Sequence, residues 1–94
     1  MEPIRKSLNN EVFICGTMMN TPTLVDLDNS KAVKVELEVI HDDEPSKFDY
    51  INTYFFCKDN IFSQCEKGQG FAIIGHIETF EGSQYVIIDV FHLI

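Results

Sequence analysis

The 94-residue chain carries 15 acidic against 7 basic residues, a net charge of −8, the reverse of the bias that phosphate neutralisation gives most nucleic-acid binders. A hydrophobic fraction of 45% with eight phenylalanines is too apolar for a disordered chain, and one domain is the expectation at this length. No apolar run approaches the roughly 18 residues of a membrane span, so no membrane partner is expected.

Residues 1–9 read as a loose leader before a domain over 10–94. The leader has Arg5 and Lys6 but no long apolar stretch, so no signal peptide is read and a cytoplasmic location is expected. The odd set Cys15, Cys57 and Cys65 then suggests reduced thiols. Neither these cysteines nor His41, His76 and His92 show a common zinc spacing. No HExxH, CxxC, phosphate-binding glycine loop or nucleophile triad is present. The sequence therefore nominates no catalytic residue, metal or cofactor, and a non-enzymatic role is expected.

The first strand is predicted over 11–18. Its nearly continuous apolar run predicts cover on both faces. Asn20-Thr21-Pro22 breaks it, and 23–27 can resume pairing before the turn signal Asp28-Asn29-Ser30. The second strand, 32–39, alternates cleanly. Val33, Val35, Leu37 and Val39 point to a core, and Lys34, Glu36 and Glu38 point out. HDDEPSK over 41–47 is a polar loop. The third strand, 48–57, puts Phe48, Tyr50, Asn52, Tyr54 and Phe56 on one face. Asp49, Ile51, Thr53, Phe55 and Cys57 fall on the other. Neither set is purely apolar, which suggests a bulge that switches the alternation partway.

Asp59 is a plausible N-cap. Ile61, Phe62 and Cys65 follow at helical spacing and predict a short helix, stopped by Lys67-Gly68. The fourth strand is 70–78, where mid-strand Gly75 suggests a bend or close backbone approach. Glu81-Gly82-Ser83 turns into a fifth strand over 84–94. The predicted fold is thus all-β with one short helix: a five-stranded Greek-key OB-fold barrel with the helix between strands three and four.

The order and spacing of several segments resemble the single-stranded DNA-binding protein family over about 10–90. Asn10-Glu11-Val12-Phe13-Ile14-Cys15-Gly16 is similar to its opening strand, although Thr17 stands where a basic residue is usual. Asp49-Tyr50-Ile51-Asn52 resembles the start of its third strand. Glu66-Lys67-Gly68 resembles the turn that follows its helix, and Gly75-His76-Ile77 its fourth strand. With the sequence stopping at Ile94, the resemblance is to a barrel-only member of the primosomal replication protein kind.

The resemblance implies single-stranded DNA as ligand, replication or repair proteins as partners, and a dimer or tetramer built through strands one and five. It places base-stacking aromatics at Tyr50, Phe56 and Phe80, with Tyr54 and Tyr85 as further candidates. Each of these rings has core packing as its alternative, and Phe13, Phe55, Phe62 and Phe71 are expected in core or interface. Lys34 and Lys58, with Lys31 and Lys47, are the expected cations along the DNA backbone, and Arg5 and Lys6 are expected as a flexible arm. Glu36 and Glu38 oppose this reading, because carboxylates on the outward face of strand two repel phosphate. A second function therefore stays open: an acidic OB-fold interaction subunit, or a nucleic-acid mimic, that does not itself bind DNA.

Overall fold

The structure is a computed structural model and describes residues 10–41 and 43–94. It contains six strands: β1 (Val12–Met18), β2 (Thr23–Leu27), β3 (Ser30–His41), β4 (Glu44–Phe56), β5 (Gly70–Phe80) and β6 (Ser83–Leu93). They lie in the order β1-β5-β6-β4-β3-β2, and an additional β1–β3 pairing closes β1, β5, β6, β4 and β3 into a ring. Closure removes the edges that these five strands would leave in an open sheet, and β2 stays outside the ring, paired with β3 alone. All pairings are antiparallel except β4 with β6, which run parallel over two residue pairs.

The strand count exceeds the expected five because the Asn20-Pro22 break is complete. β1 pairs with β5 and only its end reaches β3, while β2 pairs with β3 alone. Two-residue turns at Asp28-Asn29 and Glu81-Gly82 have positive φ at both positions. This is the primed turn whose twist matches that of the flanking strands. It joins β2 to β3 and β5 to β6.

The alternation of β3 holds. Val33, Val35 and Leu37 are fully buried beside Ile14, Met18, Phe71, Ile73 and Ile88. The alternation of β4 is not switched as expected. Its register with β3 runs unbroken from Ala32↔Phe56 to Ile40↔Phe48, and the irregularity sits at the hairpin end, between Ile40 and His41. Two polar residues made the inner face look impure: Asp49, which lies exposed near the hairpin end, and Thr53. Thr53 is fully buried, and its hydroxyl donates to the Val35 carbonyl at 3.0 Å, which meets the cost of burying it. β1 is also corrected: one face is buried, but Phe13 and Cys15 on the other are exposed.

The expected helix does not form among the described residues. Residues 60–65 make turns held by i→i+3 bonds, Ser63 N to Asn60 O and Cys65 N to Phe62 O. A helix this short is unfavourable alone because nucleation costs more than its few bonds return. Asn60, rather than Asp59, does the capping. Its Oδ1 accepts from Phe62 N at 3.0 Å, and its amide donates to the Pro22 carbonyl at 2.9 Å. The segment still delivers Phe62, 2% exposed, to close one end of the barrel. Phe91, Phe71 and Phe55 surround its ring at 4.8, 5.3 and 6.1 Å. Full burial of such a ring contributes roughly 1.5–3 kcal/mol.

The β5–β6 hairpin is bent by Gly75. A Cβ there would lie 2.0 Å from the Ile87 carbonyl oxygen, so only glycine fits. The register slips at this point, from Ile74↔Val90 to Gly75↔Ile88, and Asp89 becomes the extra residue of a bulge. The bend carries the far end of the hairpin, with Phe80 and Tyr85, back over the outer face of the barrel.

Candidate nucleic-acid interface

The period of a strand places every second residue of β4 outward, about 6.8 Å apart. Phe48, Tyr50, Asn52, Tyr54 and Phe56 therefore form one line. Across from them on β3 stand Ile40, Glu38, Glu36, Lys34 and Ala32. Tyr50 is 63% exposed and Phe48 46%. These are surface rings, not core.

At the other end of the line the hairpin contributes its own rings. Phe56 meets Phe80 edge-on at 6.1 Å, Phe80 lies at 5.7 Å from Tyr85, and Tyr85 meets Tyr54 edge-on at 5.3 Å. Tyr54, Phe80 and Tyr85 of this run pack on a small second core of Leu27, Ala32 and Ile87. Phe56 keeps 37% exposure and the other three are half-buried. Of the five nominated aromatics, four thus come together and Tyr50 stands apart along the same strand. For these four, packing and exposure coexist.

Two cavities adjoin the run. One, about 530 Å³, lies between the two primed turns and is lined by Asp26, Asp28, Glu81, Phe80 and Tyr85 among others. The second, about 450 Å³, is lined by Phe56, Cys57, Lys31 and Lys58. Lys31 and Asp26 are bridged at 2.7 Å, so that ion pair stands between an acidic cavity and a basic one. A third hollow, about 250 Å³, sets Tyr50 beside Lys67 and Glu38.

The nominated cations differ in availability. Lys34 lies on the outward face but is paired with Glu36 at 3.3 Å. Asn20 donates to the other Glu36 oxygen at 2.9 Å. The Asn20 amide first, then Lys34, holds the Glu36 carboxyl below the usual carboxylate range, so this charge persists on the face. Lys58 is exposed beside Phe56 and has no ion pair among the described residues. Lys47 is exposed on β4, whereas Arg5 and Lys6 lie outside the described residues.

Two members of the face were missed. Phe48 was already on the right side by strand period, and that signal was sufficient to nominate it. Lys67 was read only as part of a turn. Nothing in the local sequence says that this turn folds back to Tyr50.

The dimeric N-terminal domain of PriB from Thermoanaerobacter tencongensis has a similar structure, with a TM-score of 0.70, 20% identity, and coverage of 92% of this chain and 97% of that one. The single-stranded DNA-binding protein of Thermus aquaticus matches at TM-score 0.68 and 17% identity over 89% of this chain, which spans 39% of that one. The mitochondrial single-stranded DNA-binding protein Rim1 of S. cerevisiae matches at 0.68 and 13%, over 89% and 92%. The chain has the fold of the single-stranded DNA-binding proteins. At these identities the fold is what is shared. No protein-family model and no curated protein matches the sequence.

Within this barrel, the aromatic line of β4 and the curled β5–β6 hairpin share one outer face. The opposite flank of the barrel bears a different surface. There Phe13, Ile74 and Val90 make an exposed apolar row across β1, β5 and β6.

Proposed function

We propose that the protein binds single-stranded DNA by stacking unpaired bases on the aromatics of β4 and the β5–β6 hairpin, and that it acts in replication, repair or recombination in the cytoplasm. The observation that carries this reading is the joining of Tyr54 and Phe56 with Phe80 and Tyr85 into one run, in line with exposed Tyr50 and Phe48. Stacking tolerates any base because every base has a π-face, and it contributes about 1–3 kcal/mol per base. It does not require a basic protein. Solved proteins of the same fold carry the same activity in their names.

The acidic charge shapes the mode of binding rather than forbidding it. With Lys31 and Lys34 held by Asp26 and Glu36, phosphate contacts fall to Lys58, Lys67 and Lys47. Two or three such contacts imply a log–log salt slope of about −1.4 to −2 for a single strand, which is shallow for such proteins. Association of copies through the Phe13, Ile74 and Val90 row would cover an apolar surface and add avidity to a weak site. The PriB domain of the same fold is dimeric.

A fluorescence anisotropy titration tests the proposal, using labelled mixed-sequence single strands and oligo-dT at low and raised salt. Saturable binding with a shallow salt slope is expected. No binding at high micromolar protein would overturn it in favour of the acidic interaction subunit, a role to which the self-paired lysines are suited.

A further inference from the structure

The acidic cavity between the two primed turns has a wall of aromatic rings and a rim dominated by carboxylates. Phe80 and Tyr85 supply the wall, and Asp26, Asp28 and Glu81 the rim, with the Asn29 amide beside them. Its volume of about 530 Å³ lies within the range of small-molecule sites. Asp26 is engaged with Lys31, whereas Asp28 and Glu81 make no ion pair among the described residues. The backbone holds both at positive φ, 51° and 50°, in tight turns that fix where their carboxylates begin.

These groups sort the parts of a nucleotide. A phosphate is repelled by the rim and drawn to the neighbouring cavity, where Lys58, without an ion pair among the described residues, stands beside Phe56. A base has no charge and can enter with a face against Phe80 or Tyr85. Once there, its edge meets mostly carboxylates, which only accept hydrogen bonds, with the Asn29 amide as a further neighbour. Guanine offers N1–H and the 2-amino group side by side, and cytosine offers its 4-amino group. Thymine offers a single N–H between two carbonyl oxygens, and those oxygens face the carboxylates unfavourably.

We infer that this cavity reads the Watson–Crick edge of one unpaired base and selects guanine or cytosine over thymine. The inference rests on the single-strand-binding reading above and gives that site a base preference. It also gives the acidic turns a role in recognition: base edges point to the acidic rim while the sugar-phosphate chain runs on the lysine side.

The test compares oligo-dC, oligo-dT and oligo-dT with one central guanine, all of equal length, in anisotropy titrations at fixed salt. Oligo-dC and the guanine-bearing strand should bind at least about fivefold tighter than oligo-dT, the lower end of what a well-made base contact discriminates. Asp28→Asn and Glu81→Gln keep the size of each side chain, and both positions are exposed turns. In one or both variants the preference should shrink as binding of oligo-dC falls and binding of oligo-dT holds or rises. Equal or tighter binding of oligo-dT by the unsubstituted protein overturns the inference and leaves single-strand binding standing. So does a preference that survives both substitutions. Failure of every strand to bind sinks both.

Discussion

Replacing Tyr50 and Phe80 by alanine, one at a time, separates stacking from packing. Tyr50 is 63% exposed on the outer face of β4, so Tyr50→Ala should change stability by no more than about 0.5 kcal/mol. Phe80 is half-buried and touches Phe56 and Tyr85 at 6.1 and 5.7 Å between centroids. Full burial would make Phe→Ala cost about 3–5 kcal/mol. Half of that is about 2 kcal/mol, or roughly 8–16 °C of Tm for a domain of this size. Each substitution removes one stacking platform and should weaken single-strand binding by about 1–3 kcal/mol, roughly 5- to 150-fold. Urea melts followed by circular dichroism give the first quantity and anisotropy the second. The reasoning fails if Tyr50→Ala destabilises the fold by more than about 1.5 kcal/mol, since the ring would then be structural. It fails differently if both variants bind DNA like the unsubstituted protein.

Glu36→Lys with Glu38→Lys should strengthen single-strand binding and steepen the salt slope by about 1.4. An unchanged slope would place the strand's path away from β3. Gly75→Ala drives a methyl to 2.0 Å from the Ile87 carbonyl oxygen and 3.3 Å from the Ile88 Cα, so the strands must part. A loss of at least about 1–3 kcal/mol is expected, and an unaltered melting curve would contradict the close approach. His76 bonds to Glu78 and Asp89 through its two ring nitrogens, and these carboxylates, Glu78 first, raise its pKa. The folded value therefore lies above the unfolded one of about 6.5. The protonated ring contributes its stability in full below about pH 6.5 and loses it as pH rises through the folded value. His76→Gln should accordingly cost more stability at pH 6 than at pH 9 in urea melts, and a gap that does not vary with pH would refute this.

The barrel was legible where one signal sufficed. The alternation of 32–39 announces a strand with one buried face, and both primed turns sit where the Asp28-Asn29 and Glu81-Gly82 signals put them. Gly75 was read as a bend or close approach and is one. The helix was misread because Ile61, Phe62 and Cys65 fit a helical period by spacing alone. One buried side chain, Phe62, explains that pattern as well as a helix does. Thr53 hid the inner face of β4, since its partner is a carbonyl on another strand and leaves no local trace. The aromatic site was legible in membership but not in arrangement. Tyr54, Phe56, Phe80 and Tyr85 were each nominated, yet their contact depends on how the hairpin curls past Gly75. The pairing of Lys31 with Asp26 and of Lys34 with Glu36 decides which cations remain available. Only strand register and side-chain reach reveal the first of these, because Asp26 and Lys31 belong to different strands.

The parallel contact between β4 and β6, Thr53↔Val86 and Tyr54↔Ile87, is one of two seams in the ring that are only two residue pairs long, the other being β1 with β3. Parallel ladders are also slightly weaker per residue than antiparallel ones. The ring is therefore held by little backbone pairing along this seam. The rings of Tyr54 and Tyr85 lie across it, one from each side. A base stacked over both would act as a clasp, so that holding a strand and holding the barrel shut become a single event.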